Sequence, residues 1–128
     1  MKLYLYLCAG GIVGVLSRFQ LGVWISSGER GGSGFPLATL MVNVTGSFLL
    51  GFLMRYLTET AVSREIRAML TVGLCGGYTT FSSFSYETMS LLTEGAWKTA
   101  AAYSIASVVG SLLACFAGYA LAEIIIRR

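Results

Sequence analysis

Residues 73–85 read Gly-Leu-Cys-Gly-Gly-Tyr-Thr-Thr-Phe-Ser-Ser-Phe-Ser and lie inside the otherwise apolar segment 66–92. Paired glycines followed by paired threonines make a poor helix interior, because glycine loses much backbone entropy and threonine loses rotamer freedom there. In a membrane, a break frees main-chain N–H and C=O groups, which are tolerated only inside protein or beside a cavity. The stretch therefore predicts a broken helix that contributes to a site. A glycine kink that serves packing alone is the alternative.

The regions around this stretch are long and apolar. The 128 residues are 55% hydrophobic and 12% charged, with a mean hydropathy of +0.74. A helix needs about 20 mostly apolar residues to cross a bilayer. The sequence therefore predicts an all-α, four-transmembrane-helix membrane protein with a broken third helix, in which residues 1–128 form a single domain. The predicted spans are 3–25, 37–57, 66–92 and 97–125.

The composition excludes several classes of function. The chain has neither His nor Asp, which removes most general acid–base chemistry, so an enzyme is not expected. Cys8, Cys75 and Cys115 stand far apart, without metal-ligand or redox spacing, and are interpreted as packing residues. Because there is no Lys/Arg cluster, nucleic acid is not an expected partner.

The second span carries polar residues at a four-residue spacing, namely Thr39, Asn43 and Ser47. These positions share one helix face, which in a membrane must point at protein or water. Helix–helix hydrogen bonding is one interpretation of this face. The other is an anion site, since the Asn43 amide offers two N–H donors.

The fourth span carries a hydroxyl face and a neighbouring face of small residues. Tyr103, Ser107 and Ser111 are four apart, and their hydroxyls either bond to backbone carbonyls or form a polar track for a solute. Small residues let another helix approach closely. The small residues are Ala102, Ala106, Gly110, Ala114, Gly118 and Ala122.

Two aromatic residues follow the predicted break. Phe81 and Phe84 are three apart and share a face, and the edge of a phenylalanine ring carries a weak positive potential. Such an edge suits an anion that must be held and then released, although both rings could equally face lipid or the core. Glu87 follows three residues later, where a pore mouth and a surface position are both possible.

Arg18 lies about two-thirds along the first span. It either extends to the nearer interface or lines an aqueous vestibule that attracts anions. Positive charge is also uneven between the two ends of the spans, which favours both termini in the cytoplasm. One end carries two basic residues, Arg30 and Lys98, or three if Arg18 is counted there. The other end carries six, namely Lys2, Arg55, Arg64, Arg67, Arg127 and Arg128.

The sequence resembles the CrcB/Fluc family of bacterial fluoride channels along essentially its whole length. The resemblance rests on the motif of residues 76–85, on the Asn-Val-Thr-Gly-Ser-Phe-Leu-Leu-Gly run of residues 43–51, and on Gly14 with Arg18. This chain has Tyr78 where the family most often has Leu, and Ser82-Ser83 where it often has Thr between the phenylalanines.

The resemblance implies an antiparallel, dual-topology homodimer in the bacterial inner membrane, which passes fluoride passively through two pores. Dual topology requires a weak Lys/Arg bias, so this expectation runs against the charge count above and rests on the resemblance alone. It also implies a structural sodium ion at the dimer centre, held by the main-chain carbonyls of Gly76 and Thr79. Arg18 would lie in an aqueous vestibule. The fluoride pathway would include Asn43, Phe81, Phe84, Tyr103, Ser107 and Ser111, to which we add Thr39 and Thr80.

Two other functions fit a small protein with four spans. A small multidrug transporter needs a carboxylate in its first span to exchange protons for cationic drugs, and this first span holds Arg18 and no acid. A non-transporting membrane assembly protein would explain the small-residue face of the fourth span, but it would not explain polar residues on three spans.

Overall fold

The computed structural model describes residues 1–28 and 34–128, and every regular element in these ranges is helical. Within them, three helices are long and apolar enough to cross a membrane: α1 (Lys2–Gly28), α2 (Leu37–Glu59) and α6 (Trp97–Ile126). The prediction of an all-helical protein with membrane-spanning helices is confirmed to this extent. Arg30, which entered the charge comparison, and most of the loop before Pro36 lie outside the described residues.

The predicted third span is divided into two half-helices rather than being one continuous helix. Neither half alone is long enough to cross a bilayer. The first half comprises α3 (Arg64–Ala68), a π-helical segment (Met69–Cys75) and α4 (Gly76–Tyr78). The second half is α5 (Phe81–Thr93).

The break falls on the two threonines and not on the glycines. Thr79 and Thr80 have extended backbone angles (φ −79°, ψ 158° and φ −150°, ψ 117°), whereas Gly76 and Gly77 remain helical. The side chain of Thr80 then caps α5, because its Oγ1 accepts a hydrogen bond from the Ser83 N–H at 3.2 Å. Thr79 thus ends one half-helix, and Thr80 starts the next.

Glycines bring α1 against the first half of the third span. A Cβ atom on Gly14 would collide with the Leu74 carbonyl and lie 2.8 Å from the Tyr78 nitrogen. A Cβ atom on Gly77 would lie 2.8 Å from the Gly11 carbonyl oxygen. Gly14 and Gly77 therefore serve close helix contact here, which a larger residue would prevent, whereas a Cβ on Gly76 would meet nothing within 4 Å.

Helices α2 and α6 make the most extensive helix pair of the described chain. Their backbones approach closely, because a Cβ atom on Gly51 would collide with Cys115, and one on Gly118 would collide with the Phe48 carbonyl. At one end of the pair, Arg55 on α2 forms an ion pair with Glu123 on α6. The small-residue face of the fourth span thus packs largely on α2.

A small core forms where α5 meets α6, around the fully buried Tyr103. By contrast, the outer faces of the long helices expose many large apolar side chains, such as Leu16, Phe19 and Phe116. A soluble monomer rarely exposes so much contiguous apolar surface, whereas lipid or a second subunit would cover it.

Candidate functional site

The broken backbone is held by side chains from two other helices. Asn43 Nδ2 on α2 donates to the Thr80 carbonyl at 3.0 Å, and the Thr80 N–H donates to Asn43 Oδ1 at 2.8 Å. From α1, Arg18 Nη1 donates to the Thr79 carbonyl at 3.1 Å. The Thr79 carbonyl and both main-chain groups of Thr80 therefore find partners within the chain.

A third contact holds the end of α4. The Tyr78 hydroxyl lies 3.0 Å from Thr45 Oγ1 on α2. Thr45 Oγ1 also donates its single proton to the Met41 carbonyl at 2.6 Å, so Tyr78 is the donor in this pair. Gly46 makes room for the contact, because a Cβ there would lie 2.9 Å from the Tyr78 ring. In the sequence, Tyr78 stood out only as a departure from the pattern of the family that the chain resembles, and this role was not predicted.

A groove of about 340 Å³ lies between α2, the break, α5 and α6. It brings together six of the eight predicted pathway residues, and Ser47 also lines it. Phe81 and Phe84 contact each other with ring centroids 5.4 Å apart, and Phe81 remains 76% exposed. The six are Asn43, Thr80, Phe81, Phe84, Ser107 and Ser111.

One hydroxyl beside this groove, that of Ser107, makes no hydrogen bond of good geometry among the described residues. Ser107 is 5% exposed, and its Oγ is the buried side-chain atom for which the described part of the chain offers no hydrogen bond. A buried hydroxyl without a partner is costly, so a native structure usually supplies a water or a ligand. The Ser107 side chain adjoins the Tyr103 hydroxyl, and its Oγ is enclosed, so a rotation of this hydroxyl would bring its donor to a small anion or water in the groove.

The other two predicted pathway residues, Thr39 and Tyr103, converge on Glu87. Thr39 Oγ1 donates to Glu87 Oε1 at 2.7 Å, and the Tyr103 hydroxyl donates to Glu87 Oε2 at 2.6 Å. The Tyr103 ring also packs on Phe84, with centroids 5.3 Å apart. The sequence allowed two positions for Glu87, one at a pore mouth and one on the surface. Its spacing of three from Phe84 was the available signal, but that spacing did not indicate its two partners.

Arg18 lines a second, larger cavity of about 690 Å³ between α1, α2 and α5. Thr39, Thr80 and Ser83 contribute polar atoms to this cavity, and the other walls are largely apolar, including Phe19. The two cavities share Thr80 as a lining residue. Arg18 is thus directed both at a cavity and at the broken backbone.

The residues at the break suit a cation held by main-chain oxygens only in part. Gly76 is exposed, and its carbonyl loses the helical donor it would have in a continuous helix, since the Thr80 N–H is bonded to Asn43. No cluster of three acidic, His or Cys side chains exists among the described residues, so a cation here would rely on carbonyls. The Thr79 carbonyl, however, already accepts a hydrogen bond from a guanidinium.

Comparison with known proteins gives a clear family assignment. Residues 5–119 match the family model described as CrcB-like protein, Camphor Resistance (CrcB). The chain belongs to the CrcB-like family. A CrcB-like relative from Thermus thermophilus, named fluoride-specific ion channel FluC, is 47% identical over 118 residues, covering 92% of this chain and 91% of its own. A protein of the same name from Rhizobium meliloti is 47% identical over 114 residues, covering 88% and 90%. The family resemblance seen in the sequence is confirmed.

Proposed function

We propose that this chain is a fluoride channel subunit that lets fluoride leave the cytoplasm passively. It is a multi-pass membrane protein and not an enzyme, as its channel-named relatives indicate. The observation that carries the proposal is the groove that Asn43, Ser107 and the Phe81 and Phe84 rings line together. Hydroxyl donors and ring edges bind a small anion without the strong attraction of a full positive charge, so the ion can leave again.

Asn43 has a more limited role in this pathway than its donor count suggests. One of its two N–H groups and its oxygen are used to hold Thr80, which leaves one N–H for an anion in the groove. Thr39 and Tyr103 would serve fluoride only if their hydroxyls turned away from Glu87. The pathway therefore runs first past Asn43, the rings and Ser107, with Glu87 as the competitor for donors beyond them.

A second copy of the chain would complete the pore. Phe81 is 76% exposed on the single chain, and the Gly76 position has open space beside it. An exposed ring next to an open groove suits a channel whose wall is finished by a partner. The antiparallel arrangement, the two pores and the central sodium ion at Gly76 and Thr79 follow from the family resemblance, as does the bacterial inner membrane.

The two halves of the third span together would make the fourth crossing. α1 packs on the first half, and α6 packs on α5, so both halves lie within the bundle. Their broken backbone then lies at membrane depth, where its hydrogen bonds to Asn43 and Arg18 replace those of a continuous helix.

Flux from liposomes tests the proposal. Purified protein is reconstituted into vesicles loaded with potassium fluoride or potassium chloride, and release is recorded with ion-selective electrodes after valinomycin is added. Fluoride should leave without ATP or a proton gradient, driven by about 2.3 kcal/mol per charge per 100 mV, while chloride should remain. Equal release of both ions would reject a fluoride-selective channel. Fluoride release that requires an imposed proton gradient would instead favour a coupled transporter with Glu87 as its carboxylate.

A further inference from the structure

The Thr79 carbonyl, which the proposed function assigns to a sodium ion, already has a positively charged partner. Arg18 Nη1 lies 3.1 Å from this oxygen, and Arg18 is half-buried on α1. The ion pairs within the described residues are formed by Arg55 and Arg127, so no carboxylate there neutralises Arg18. The guanidinium therefore brings an uncompensated charge to the break.

Two cations cannot share this oxygen without cost. A sodium ion bound to Thr79 would stand within a few ångströms of the guanidinium, where like charges repel more than in bulk water because Arg18 and Thr79 are both half-buried. The hydrogen bond also draws electron density from the carbonyl oxygen, which weakens it as a metal ligand. Both effects weaken sodium binding. No acidic side chain takes part in the hydrogen bonds at the break to offset them.

We propose that Arg18 opposes cation binding at the helix break, so that its guanidinium and the sodium ion compete for the Thr79 carbonyl. This rests on the proposed function, in which that carbonyl is a sodium ligand. The competition keeps positive charge beside the anion pathway whether or not the ion is bound. It also makes Arg18 the residue that sets how tightly the ion is held.

The break keeps its shape when Arg18 is replaced, because other contacts hold it. Asn43 binds both main-chain groups of Thr80, and Tyr78 is bonded to Thr45. A glutamine at position 18 keeps an N–H donor while it removes the charge, and a lysine keeps the charge. These two substitutions therefore separate the electrostatic effect from the hydrogen bond.

The test compares sodium affinities of purified protein prepared free of sodium. Wild type, Arg18→Gln, Arg18→Lys and the control Lys98→Gln are titrated with sodium chloride against N-methylglucamine at constant ionic strength. Isothermal titration calorimetry and the thermal unfolding midpoint are the readouts. Arg18→Gln should bind sodium at least about tenfold more tightly than wild type, because one full charge is removed near the ion. Arg18→Lys and Lys98→Gln should stay close to wild type.

Unchanged or weaker sodium binding by Arg18→Gln overturns the proposal, since Arg18 would then orient the carbonyl for the ion or take no part. Absence of sodium binding by both wild type and Arg18→Gln overturns it as well, together with the sodium site. Fluoride flux measured on the same preparations reports separately on channel function. If Arg18→Gln does not fold, Arg18→Met, which is also uncharged, should show the same tightening, and its absence rejects the competition.

Discussion

Asn43 and Thr80 form a two-way hydrogen bond that joins α2 to the broken backbone. The Asn43 amide donates to the Thr80 carbonyl at 3.0 Å and accepts from the Thr80 N–H at 2.8 Å. Thr80 in turn caps α5. One side chain thus fixes the start of the half-helix that carries both phenylalanines. In the proposed pathway, Asn43 would therefore act on the geometry of its neighbours as well as on the anion.

Replacing Asn43 by alanine should reduce fluoride flux by at least about tenfold, because an anion donor and both bonds to Thr80 are lost together. Flux per reconstituted protein and thermal stability in detergent are the two measurements. Ser47→Ala, on the same face of α2 and also in the groove, is the matched control and should retain more flux. If Asn43→Ala unfolds or stays monomeric yet the surviving dimers conduct normally, Asn43 serves only the structure.

The two phenylalanines should respond differently to isoleucine. Phe81→Ile should reduce flux with little loss of stability, because Phe81 is 76% exposed on the chain. Phe84→Ile should reduce flux and also destabilise the fold by about 1 kcal/mol, since Phe84 packs on Tyr103. Flux assays and thermal unfolding of both variants check this. Normal flux in both, with intact protein, would mean that the rings only fill space.

The helix break was predictable from the sequence, but its position was not. Paired glycines and paired threonines each disfavour a helix, and the sequence pattern did not indicate which pair would leave the helical conformation. Gly77 stays helical against α1, which approaches it closely at Gly11, and the threonines extend because Thr80 can cap α5. Tertiary contact decided between two local signals of similar strength.

The polar faces were also predictable, whereas their partners were not. The four-residue spacing defined the face of α2 that carries Asn43 and the face of α6 that carries Ser107, because helical periodicity alone defines a face. The structure turns both faces toward one groove. The convergence of Thr39 and Tyr103 on Glu87 depends on the register of three helices, which no single spacing encodes. The structural and the anion-binding interpretation of Asn43 are compatible. Its oxygen and one N–H hold Thr80, and the second N–H is left for an anion.

Glu87 and Tyr103 should be energetically coupled. Their hydrogen bond is 2.6 Å long and involves a carboxylate, which makes it stronger than a bond between neutral groups. A double-mutant cycle with Glu87→Gln and Tyr103→Phe should give a coupling of about 0.5–2 kcal/mol in thermal or denaturant unfolding. The control is a second cycle with Glu87→Gln and Ser111→Ala, because Glu87 and Ser111 make no hydrogen bond with each other in the structure. Additive effects for Glu87 and Tyr103 would contradict the contact.

The α2–α6 contact should be sensitive to a single methyl group. Gly118→Ala should lower stability by about 1–3 kcal/mol, because its Cβ would press on the Phe48 carbonyl and force the helices apart. Gly22→Ala is the matched control, since a Cβ at Gly22 meets nothing within 4 Å and alanine favours the helix. Thermal unfolding in detergent compares the two variants. A stability loss for Gly22→Ala as large as that for Gly118→Ala would contradict the explanation by close α2–α6 packing.

Substitutions at Gly76 and at its neighbour Gly77 distinguish a contact between chains from a contact within the chain. Gly76 has helical backbone angles and open space beside it, so Gly76→Leu should leave the helix content of the single chain unchanged. If a second copy packs there, the same substitution should shift the protein from dimer to monomer, measured by light scattering in detergent, and should abolish flux. Gly77→Ala should instead lower thermal stability, because its Cβ would press on the Gly11 carbonyl in the same chain. A Gly76→Leu protein that remains dimeric and conducts normally would place the subunit contact elsewhere.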